Sequence, residues 1–275
     1  MVFSDGEHVG IPLALAMRGL GISTPHLVIG HHLTTPTKAR LMRNLHAHHG
    51  MTRILVHSAR QQELAHRDLG IPTGKLAYIP YYADTQFWSP MHVAEEPLVV
   101  AAGREHRDYS TLAAACDGLD AHVFVAAGSV HSPGATSRVP TVWPDNFELG
   151  FAGYGALRDL YARASVVVVP LVENDFQAGV TTVLESMAMG KAVVATATGG
   201  DSGILRDGVT GIRVPPGDAV AMKTAVARLL ESPDLRRRLG RAARQLVVAE
   251  YGVEAYSWRL AGHMADLAAA TSAAA

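Results

Sequence analysis

The sequence predicts an α/β fold in which parallel strands alternate with helices, and three observations lead to that prediction. Short β-branched runs alternate with longer stretches of helical periodicity through most of the chain. The run Val166–Val169 contains only valine, which is typical of a strand covered on both faces of its sheet. The chain has 275 residues, of which 48% are hydrophobic and 18% charged. That length suits about two ordinary domains, and that composition excludes a disordered or fibrous protein.

The predicted strands share short β-branched runs bounded by turn residues. In chain order they are His26–Gly30, Arg53–His57, Leu76–Ile79, Leu98–Ala102, His122–Ala126, Ser165–Val169 and Ala192–Ala195. The helices predicted between them share apolar residues that recur every three or four positions. These helices are Ile11–Leu20, Thr37–His48, Ala59–Leu69, Tyr109–Cys116, Ala156–Ala164 and Val180–Met189.

The last third of the chain shows helical periodicity alone. It predicts three helices, Ala219–Leu230, Pro233–Tyr251 and Val253–Leu267, and Ser232 before Pro233 suits a serine cap with proline at the first helical position. Proline and acidic residues interrupt the periodicity between positions 88 and 97, which indicates a domain boundary. We therefore expect a first domain over residues 1–92, a second over 93–252, and a helix with a frayed tail over 253–275.

Charge and cysteine content exclude several classes of function. With 24 Lys+Arg against 25 Asp+Glu the net charge is −1, so we expect no nucleic-acid partner. The single cysteine, Cys116, excludes an internal disulfide framework and every multi-cysteine metal site. The acidic start lacks the order of a signal peptide, and no apolar run reaches the roughly 18 residues of a membrane span. We expect a cytoplasmic protein without a transmembrane segment, and leave peripheral contact with a membrane open.

The strongest local pattern runs from Phe176 to Gly190, where a loop with a glycine joins a predicted strand to a predicted helix. Ligands bind at the carboxyl ends of parallel strands, where this loop must lie. Glu185, within about two turns of the helix start, can accept hydrogen bonds from ribose hydroxyls. An ordinary strand-loop-helix connection with Glu185 on a solvated face is the alternative. The residues whose unpaired N–H groups would bind a diphosphate are Gly179, Val180, Thr181 and Thr182.

The next stretch extends this pattern. A buried strand, Ala192–Ala195, is followed by the pair Gly199-Gly200 and by two turn sequences at positions 207–211 and 214–218. From about residue 99 to 251 the chain resembles the donor-binding domain of the GT-B glycosyltransferases of the "glycosyl transferases group 1" type. That family carries a Glu-x7-Glu pattern in the loop and helix. Glu185 matches the second glutamate, whereas Gln177 stands at the position of the first.

Residues 5–88 resemble the acceptor domain of the same family. The run from Leu27 to His32 is similar to the strand that ends in an active-site histidine, so His31 is the candidate and His32 the reserve. A satisfied core histidine is the alternative interpretation. The opening strand, glycine loop and helix of that domain should precede Val2, so the resemblance implies an incomplete first domain and puts the activity of this short form in question.

Two arginines follow the predicted strand Leu98–Ala102. Arg104 and Arg107 match the arginine and lysine with which the family holds the donor diphosphate, and guanidiniums suit bidentate phosphate binding. Solvated loop charges are the alternative. The cluster His46, His48 and His49 has no adjoining cysteine or acidic partner, and we expect an exposed helix end there rather than a metal site.

The resemblance implies two Rossmann-like domains and an enzyme that moves a sugar from a nucleotide-diphosphate sugar to an acceptor hydroxyl with retention. It implies that His31, Gln177, Arg104 and Arg107 act in catalysis, that Glu185 and the helix start bind the donor, and that no cofactor or essential metal is needed. A non-catalytic nucleotide-sugar-binding protein, an inactive truncated paralogue and a nucleotide-sugar epimerase are the alternatives. The nucleobase, the sugar and the acceptor stay open.

Overall fold

The computed structural model describes residues 1–127 and 136–274, and it divides the chain into two compact units. The first unit comprises Met1–Tyr81, Asp175–Gln177 and Glu254–Ala275, and the second comprises Tyr82–Asn174 and Ala178–Val253. The expected tail therefore groups with the first unit rather than standing apart. Among the described helices, none has both the length and the apolar character that crossing a membrane requires.

The first unit contains a four-stranded parallel sheet in the order β1-β2-β3-β4. Its strands are β1 Val2–Ser4, β2 His26–Gly30, β3 Arg53–Val56 and β4 Leu76–Tyr78, and its helices are α1 Glu7–Gly19, α2 Pro36–Asn44, α3 Ala59–Leu69 and α9 Val253–Ala274. Strand β1 pairs with β2 along its whole length, from Val2 opposite His26 to Ser4 opposite Val28. Strand β1 is not predicted from the sequence, because its three residues are too few to show an alternating pattern.

The two faces of this sheet are covered by different parts of the chain. Alternate residues of a strand point to opposite faces, so Val28 packs with residues of α1, α2 and α3. Leu27 and Ile29, on the other face, pack with Leu267 of α9. Both faces of the first sheet are therefore buried, one of them by the C-terminal helix.

The second unit contains a six-stranded parallel sheet in the order β10-β9-β8-β5-β6-β7. Its strands are β5 Glu96–Ala102, β6 His122–Ala126, β7 Phe147–Gly150, β8 Ala164–Val169, β9 Val193–Thr196 and β10 Ile212–Val214. Every valine of Val166–Val169 is fully buried, which confirms that the central strand β8 is covered on both faces. Strands β7 and β10, which are short and lie at the two edges, are not predicted from the sequence.

The helices of the second unit begin close to where the sequence predicted. They are α4 Tyr109–Cys116, α5 Tyr154–Arg163, α6 Val180–Ala188, α7 Ala219–Glu231 and α8 Pro233–Glu250. The Ser232 side chain accepts a hydrogen bond from the Leu235 N–H, and Pro233 is the first residue of α8, which confirms the predicted cap. The Asp218 side chain caps α7 in the same way by accepting from the Ala221 N–H.

The strand order of the second sheet reverses at β5. Strand β5 lies between β6, which follows it in the chain, and β8, which follows later. A crevice opens at the carboxyl ends of the strands wherever the order of a doubly wound sheet reverses. The loops that follow β5 and β8 therefore border the place where such a sheet binds a ligand.

The histidine cluster predicted at an exposed helix end is exposed only in part. Helix α2 already ends at Asn44, and a 3-10 turn over Ala47–Gly50 follows it. His46 and His49 are exposed as expected, whereas His48 is buried because this turn packs against α1 in the first unit.

Candidate functional site

The loops after β5 and β8 are joined by backbone hydrogen bonds. The Asp108 N–H donates to the Pro170 carbonyl at 3.0 Å, and the Val172 N–H donates to the His106 carbonyl at 3.1 Å. His106 has a positive φ of 54°, an uncommon conformation for a residue with a side chain. These bonds hold the arginine-bearing loop against the loop that leads into α6.

Gly179 forms the N-cap of α6 in a left-handed conformation with a φ of 72°. A Cβ at this position would lie 2.8 Å from Val169 Cγ1 and 3.1 Å from Leu171 Cδ2, so both backbone conformation and space require glycine. In the part of the chain that the structure describes, no side chain caps this helix start. The first backbone N–H groups of a helix have no intrahelical partner, so those of Val180, Thr181 and Thr182 form a positive end suited to an anion.

Arg107 lies beside this helix start and is only 5% exposed. Its guanidinium donates to the Ala102 and Glu105 carbonyls, both at 2.9 Å, and to the Thr182 hydroxyl at 3.2 Å. These three bonds leave two of the five guanidinium donors for a ligand. Burial lowers the pKa of Arg107, and none of the described carboxylates forms an ion pair with it. A buried cation without a carboxylate partner is costly unless an anion binds.

Arg104 occupies the same loop but is exposed. Its carbonyl accepts a hydrogen bond from the Ser137 hydroxyl at 2.9 Å, and the same hydroxyl oxygen accepts from the Arg107 N–H at 2.8 Å. The structure thus distinguishes the two arginines that the sequence could not separate. The Arg107 guanidinium lies beside the start of α6, whereas Arg104 lies at the surface of the loop after β5.

Glu185 is half-buried on α6, and desolvation raises the pKa of its carboxyl to about 7. Within the described parts of the chain, no hydrogen bond or ion pair is formed by its side chain. The nearby Glu185 charge also contributes to raising the pKa of Tyr161, after the larger effect of burial. The carboxylate is therefore poised to accept hydrogen bonds from a ligand.

Gln177 precedes Gly179 by two residues and is 7% exposed. Both atoms of its amide group, Oε1 and Nε2, are buried and have no hydrogen-bond partner among the described residues. Buried amides in native proteins are nearly always hydrogen-bonded to protein groups, water or a ligand, so this amide is a candidate ligand contact.

His31 follows β2 at the carboxyl edge of the first sheet. Its Nδ1 lies 2.8 Å from the Tyr81 hydroxyl, and its ring centroid lies 5.1 Å from that of His57. His57 is buried, and burial lowers its pKa to about 4 although its Nδ1 hydrogen-bonds the Ile79 carbonyl at 2.9 Å. His31 therefore belongs to a polar cluster at the end of the sheet.

Several members of this cluster are not predicted from the sequence. Glu7 accepts hydrogen bonds from the backbone of His31 and His32, and the Gln61 side chain donates to the His31 carbonyl. Glu7 and His31 are 24 residues apart, so no local pattern connects them. The one available signal was an acidic residue at the start of a helix, which is common and has no specificity.

Part of this chain is similar to known glycosyltransferases. Residues 96–232 match the family model described as glycosyl transferases group 1. The alpha-D-kanosaminyltransferase of Streptomyces kanamyceticus is 34% identical over 113 residues, which cover 41% of this chain and 28% of that protein. The D-inositol 3-phosphate glycosyltransferase of Kribbella flavida is 39% identical over 87 residues, covering 32% of this chain and 20% of that protein. The matches thus span less than a third of these two relatives.

Solved structures are similar over nearly the whole chain. HepE of Anabaena in complex with UDP and glucose has a TM-score of 0.78 at 15% identity, covering 96% of this chain and 77% of that one. The sucrose-phosphate synthase of Thermosynechococcus elongatus has a TM-score of 0.76 at 22% identity, covering 94% and 72% of the two chains. These similarities confirm the GT-B fold, with its two parallel-sheet units, that the sequence predicts.

Proposed function

Through residues 96–232 this chain belongs to the glycosyl transferases group 1 family, and from that membership we propose that it transfers a sugar from a nucleotide-diphosphate sugar to an acceptor hydroxyl. The observation that carries the proposal is the Arg107 guanidinium, which is buried beside the positive end of α6 and has no carboxylate partner among the described residues. A diphosphate supplies the missing negative charge and accepts from the free N–H groups of the helix start.

The remaining groups suit the other parts of a nucleotide sugar. Glu185 accepts hydrogen bonds from the ribose hydroxyls, for which an unpartnered carboxylate is suited. Gln177 contacts hydroxyls of the donor sugar, and its amide can both donate and accept. His31 contacts the sugar or the acceptor. Arg104, at the surface of the same loop as Arg107, adds positive charge for the diphosphate.

The chemistry we propose is transfer with retention. The bond between the anomeric carbon and the diphosphate oxygen breaks while the acceptor oxygen bonds to that carbon on the same face. The acceptor proton passes to the departing diphosphate. Negative charge grows on the diphosphate in this step, and Arg107, Arg104 and the α6 N–H groups stabilise it as a preorganised electrostatic site. No step in this scheme calls for a cofactor or metal, and a cytoplasmic location remains our expectation.

Calorimetry with UDP, GDP and ADP tests the diphosphate site. UDP is the first probe because HepE, a structural neighbour, was solved with it. A charge-assisted hydrogen bond contributes about 1.5–3 kcal/mol, so Arg107→Ala or Arg104→Ala should weaken binding about 10- to 100-fold at the true contact. Arg241→Ala changes an exposed arginine of α8 and is the matched control. If neither variant loses affinity for a nucleotide that the parent binds, the assignment of the diphosphate site is wrong.

Turnover separates a transferase from a protein that only binds nucleotide sugars. The second candidate is favoured by Gln177, which cannot carry the charge of the glutamate that the family pattern has there. Release of nucleotide from UDP-glucose and other donors is measured with and without a panel of hydroxyl acceptors. Acceptor-dependent release with an axial product supports retaining transfer, and tight binding without release supports the second candidate.

A further inference from the structure

We propose that Glu7 is a positioning residue that holds the backbone of His31 and His32 at the carboxyl end of β2. The proposal rests on the proposed function, because it assigns Glu7 a role in placing a histidine that contacts substrate. Glu7 is 3% exposed and is the first residue of α1. Nothing in its local sequence requires a buried carboxylate at that point.

The two carboxylate oxygens of Glu7 are divided between the two histidines. Oε2 accepts from the His31 N–H at 2.8 Å, and Oε1 accepts from the His32 N–H at 3.1 Å. Two consecutive backbone N–H groups on one carboxylate fix the direction in which the chain leaves the strand. The His31 carbonyl is held from the other side by the Gln61 side chain.

Lys38 closes this arrangement. Its ammonium group lies 2.6 Å from Glu7 Oε1 and 3.3 Å from the His32 carbonyl. Burial by itself would raise the pKa of Glu7, but the hydrogen bonds from Lys38 and from the His31 N–H outweigh it and lower the pKa to about 2. Glu7 is therefore ionised at neutral pH, and its charge is fully partnered inside the first unit.

Gly6 allows Glu7 to reach this position. Its φ of 148° lies in a region that glycine favours, and a Cβ would approach His8 Nδ1 to 2.8 Å. The same Cβ would lie 3.8 Å from His31 Cδ2, so the turn passes directly beside the histidine ring. The turn at Gly6 thus leads directly into Glu7, whose carboxylate meets the end of β2.

The bonds that hold the His31 backbone also fix the position of its ring. With the backbone held and Nδ1 within 2.8 Å of the Tyr81 hydroxyl, Nε2 is the ring nitrogen that remains for substrate. Small displacements of a group that contacts substrate lower turnover strongly, since near-attack geometry must hold to within a fraction of an ångström. Glu7 therefore acts on the reaction through His31, without touching substrate itself.

Glu7→Gln is the decisive variant, because glutamine keeps the shape but cannot accept with both terminal atoms or balance the Lys38 charge. We expect kcat to fall about 10- to 100-fold, while the KM for the donor and the affinity for UDP change less than about twofold. Glu7→Asp keeps the charge and should recover part of the loss. The matched control is Ser4→Ala, which removes a buried 2.9 Å hydrogen bond to His26 in the same unit without touching His31 or His32.

Amide hydrogen exchange gives a readout that does not depend on activity. In Glu7→Gln the His31 and His32 amides should exchange at least tenfold faster, whereas the Val28 amide within β2 should not. Unchanged protection of both histidine amides, or a kcat no lower than that of Ser4→Ala at equal melting temperature, overturns the proposal. If the parent protein transfers no sugar, the proposed function fails, and the exchange data alone decide whether Glu7 holds the histidines.

Discussion

Arg107, Gln177 and Glu185 share a feature that ordinary core residues lack. Arg107 and Gln177 are buried and Glu185 is half-buried, and each has polar capacity that the described parts of the chain leave unused. Burying such groups lowers stability, by about 1–3 kcal/mol for an uncharged one. Proteins tolerate this cost where a ligand supplies the partner. We therefore expect substitutions that remove the polar group of one of these residues to raise the stability of the protein and to weaken ligand binding.

The stability of the second unit should depend on pH through Glu185. The pKa of Glu185 is about 7 in the folded protein against 4.5 as its ordinary value, so folding takes up a proton between these values. Its contribution to stability is highest below pH 4.5, declines as the pH rises to about 7, and is constant above that. Each pKa unit corresponds to about 1.4 kcal/mol, so Glu185→Gln should stabilise the protein by roughly 1–3 kcal/mol more at pH 8 than at pH 5.

Urea unfolding at pH 5 and pH 8 measures that difference. The control is Glu231→Gln, which changes an exposed residue at the end of α7. Its free energy of unfolding should differ between pH 5 and pH 8 by as much as that of the parent protein. An equal effect of Glu185→Gln at both pH values would show that the Glu185 carboxylate is well solvated.

Ligand binding should follow the ionisation of the same residue. Affinity for UDP should rise as the pH rises through about 7, because the carboxylate accepts ribose hydroxyls better than the acid does. Glu185→Gln should remove this rise and weaken UDP more than 2′-deoxy-UDP. Calorimetry at pH 6 and pH 8 with both nucleotides tests this, and equal losses for the two nucleotides would exclude a ribose contact.

At Gln177, an uncharged residue, we expect the same opposition between stability and function. Gln177→Leu removes an unpartnered buried amide and should raise the free energy of unfolding by about 1 kcal/mol while it lowers donor turnover. Gln177→Glu should shift the preference among donor sugars and leave affinity for free UDP nearly unchanged. A Gln177→Glu variant that changes both by the same factor would place residue 177 on the nucleotide instead of the sugar.

At the scale of elements, α6 and the glycine that precedes it determine where the candidate site lies. Gly179→Ala adds a Cβ 2.8 Å from Val169 Cγ1 at a φ of 72°, so the start of α6 must move or the loop must strain. We expect a loss of about 2–4 kcal/mol in stability and at least a tenfold loss in UDP affinity. Denaturant titration and calorimetry measure the two losses.

The control for this variant is Gly118→Ala. Gly118 has a φ of 70°, but no described atom lies within 4 Å of its added Cβ. Its substitution therefore strains the backbone without causing a steric clash. We expect a loss of about 1 kcal/mol there and unchanged affinity for UDP. Equal losses of affinity in the two variants would mean that the position of α6 does not matter for the ligand.

Elements with strong local patterns were predictable from the sequence, and elements defined by distant partners were not. The valine run of β8 and the loop and helix at Gly179 were found because burial on two faces and a glycine before a helix leave local signals. Strands β1, β7 and β10 have three or four residues each and depend on pairing with neighbours. Which arginine is buried likewise depends on Thr182, 75 residues away, and the residues that hold His31 have no signature in its own segment.

At the scale of the whole molecule, the first unit depends on a helix from the far end of the chain. Leu27, Ile29, Leu55 and Ile79 form a buried cluster with Leu267 of α9. Leu267→Ala should cost about 2–5 kcal/mol and speed amide exchange in β2 and β3, while exchange in β5 and β8 stays as in the parent. Trp258→Ala changes a side chain of the same helix that is 79% exposed and should have little effect. Equal acceleration in both sheets would show that the units do not unfold separately.

The placement of α9 also orders events during synthesis. A ribosome makes β1 to β4 first, yet the face of that sheet bearing Leu27 and Ile29 stays uncovered until Leu267 has left the exit tunnel. The six strands of the second unit and helices α4 to α8 are translated in the interval and have everything they need to pack. One apolar face of the nascent first sheet therefore stays exposed while the second unit is translated. We expect chaperones to bind the newly made chain at this face.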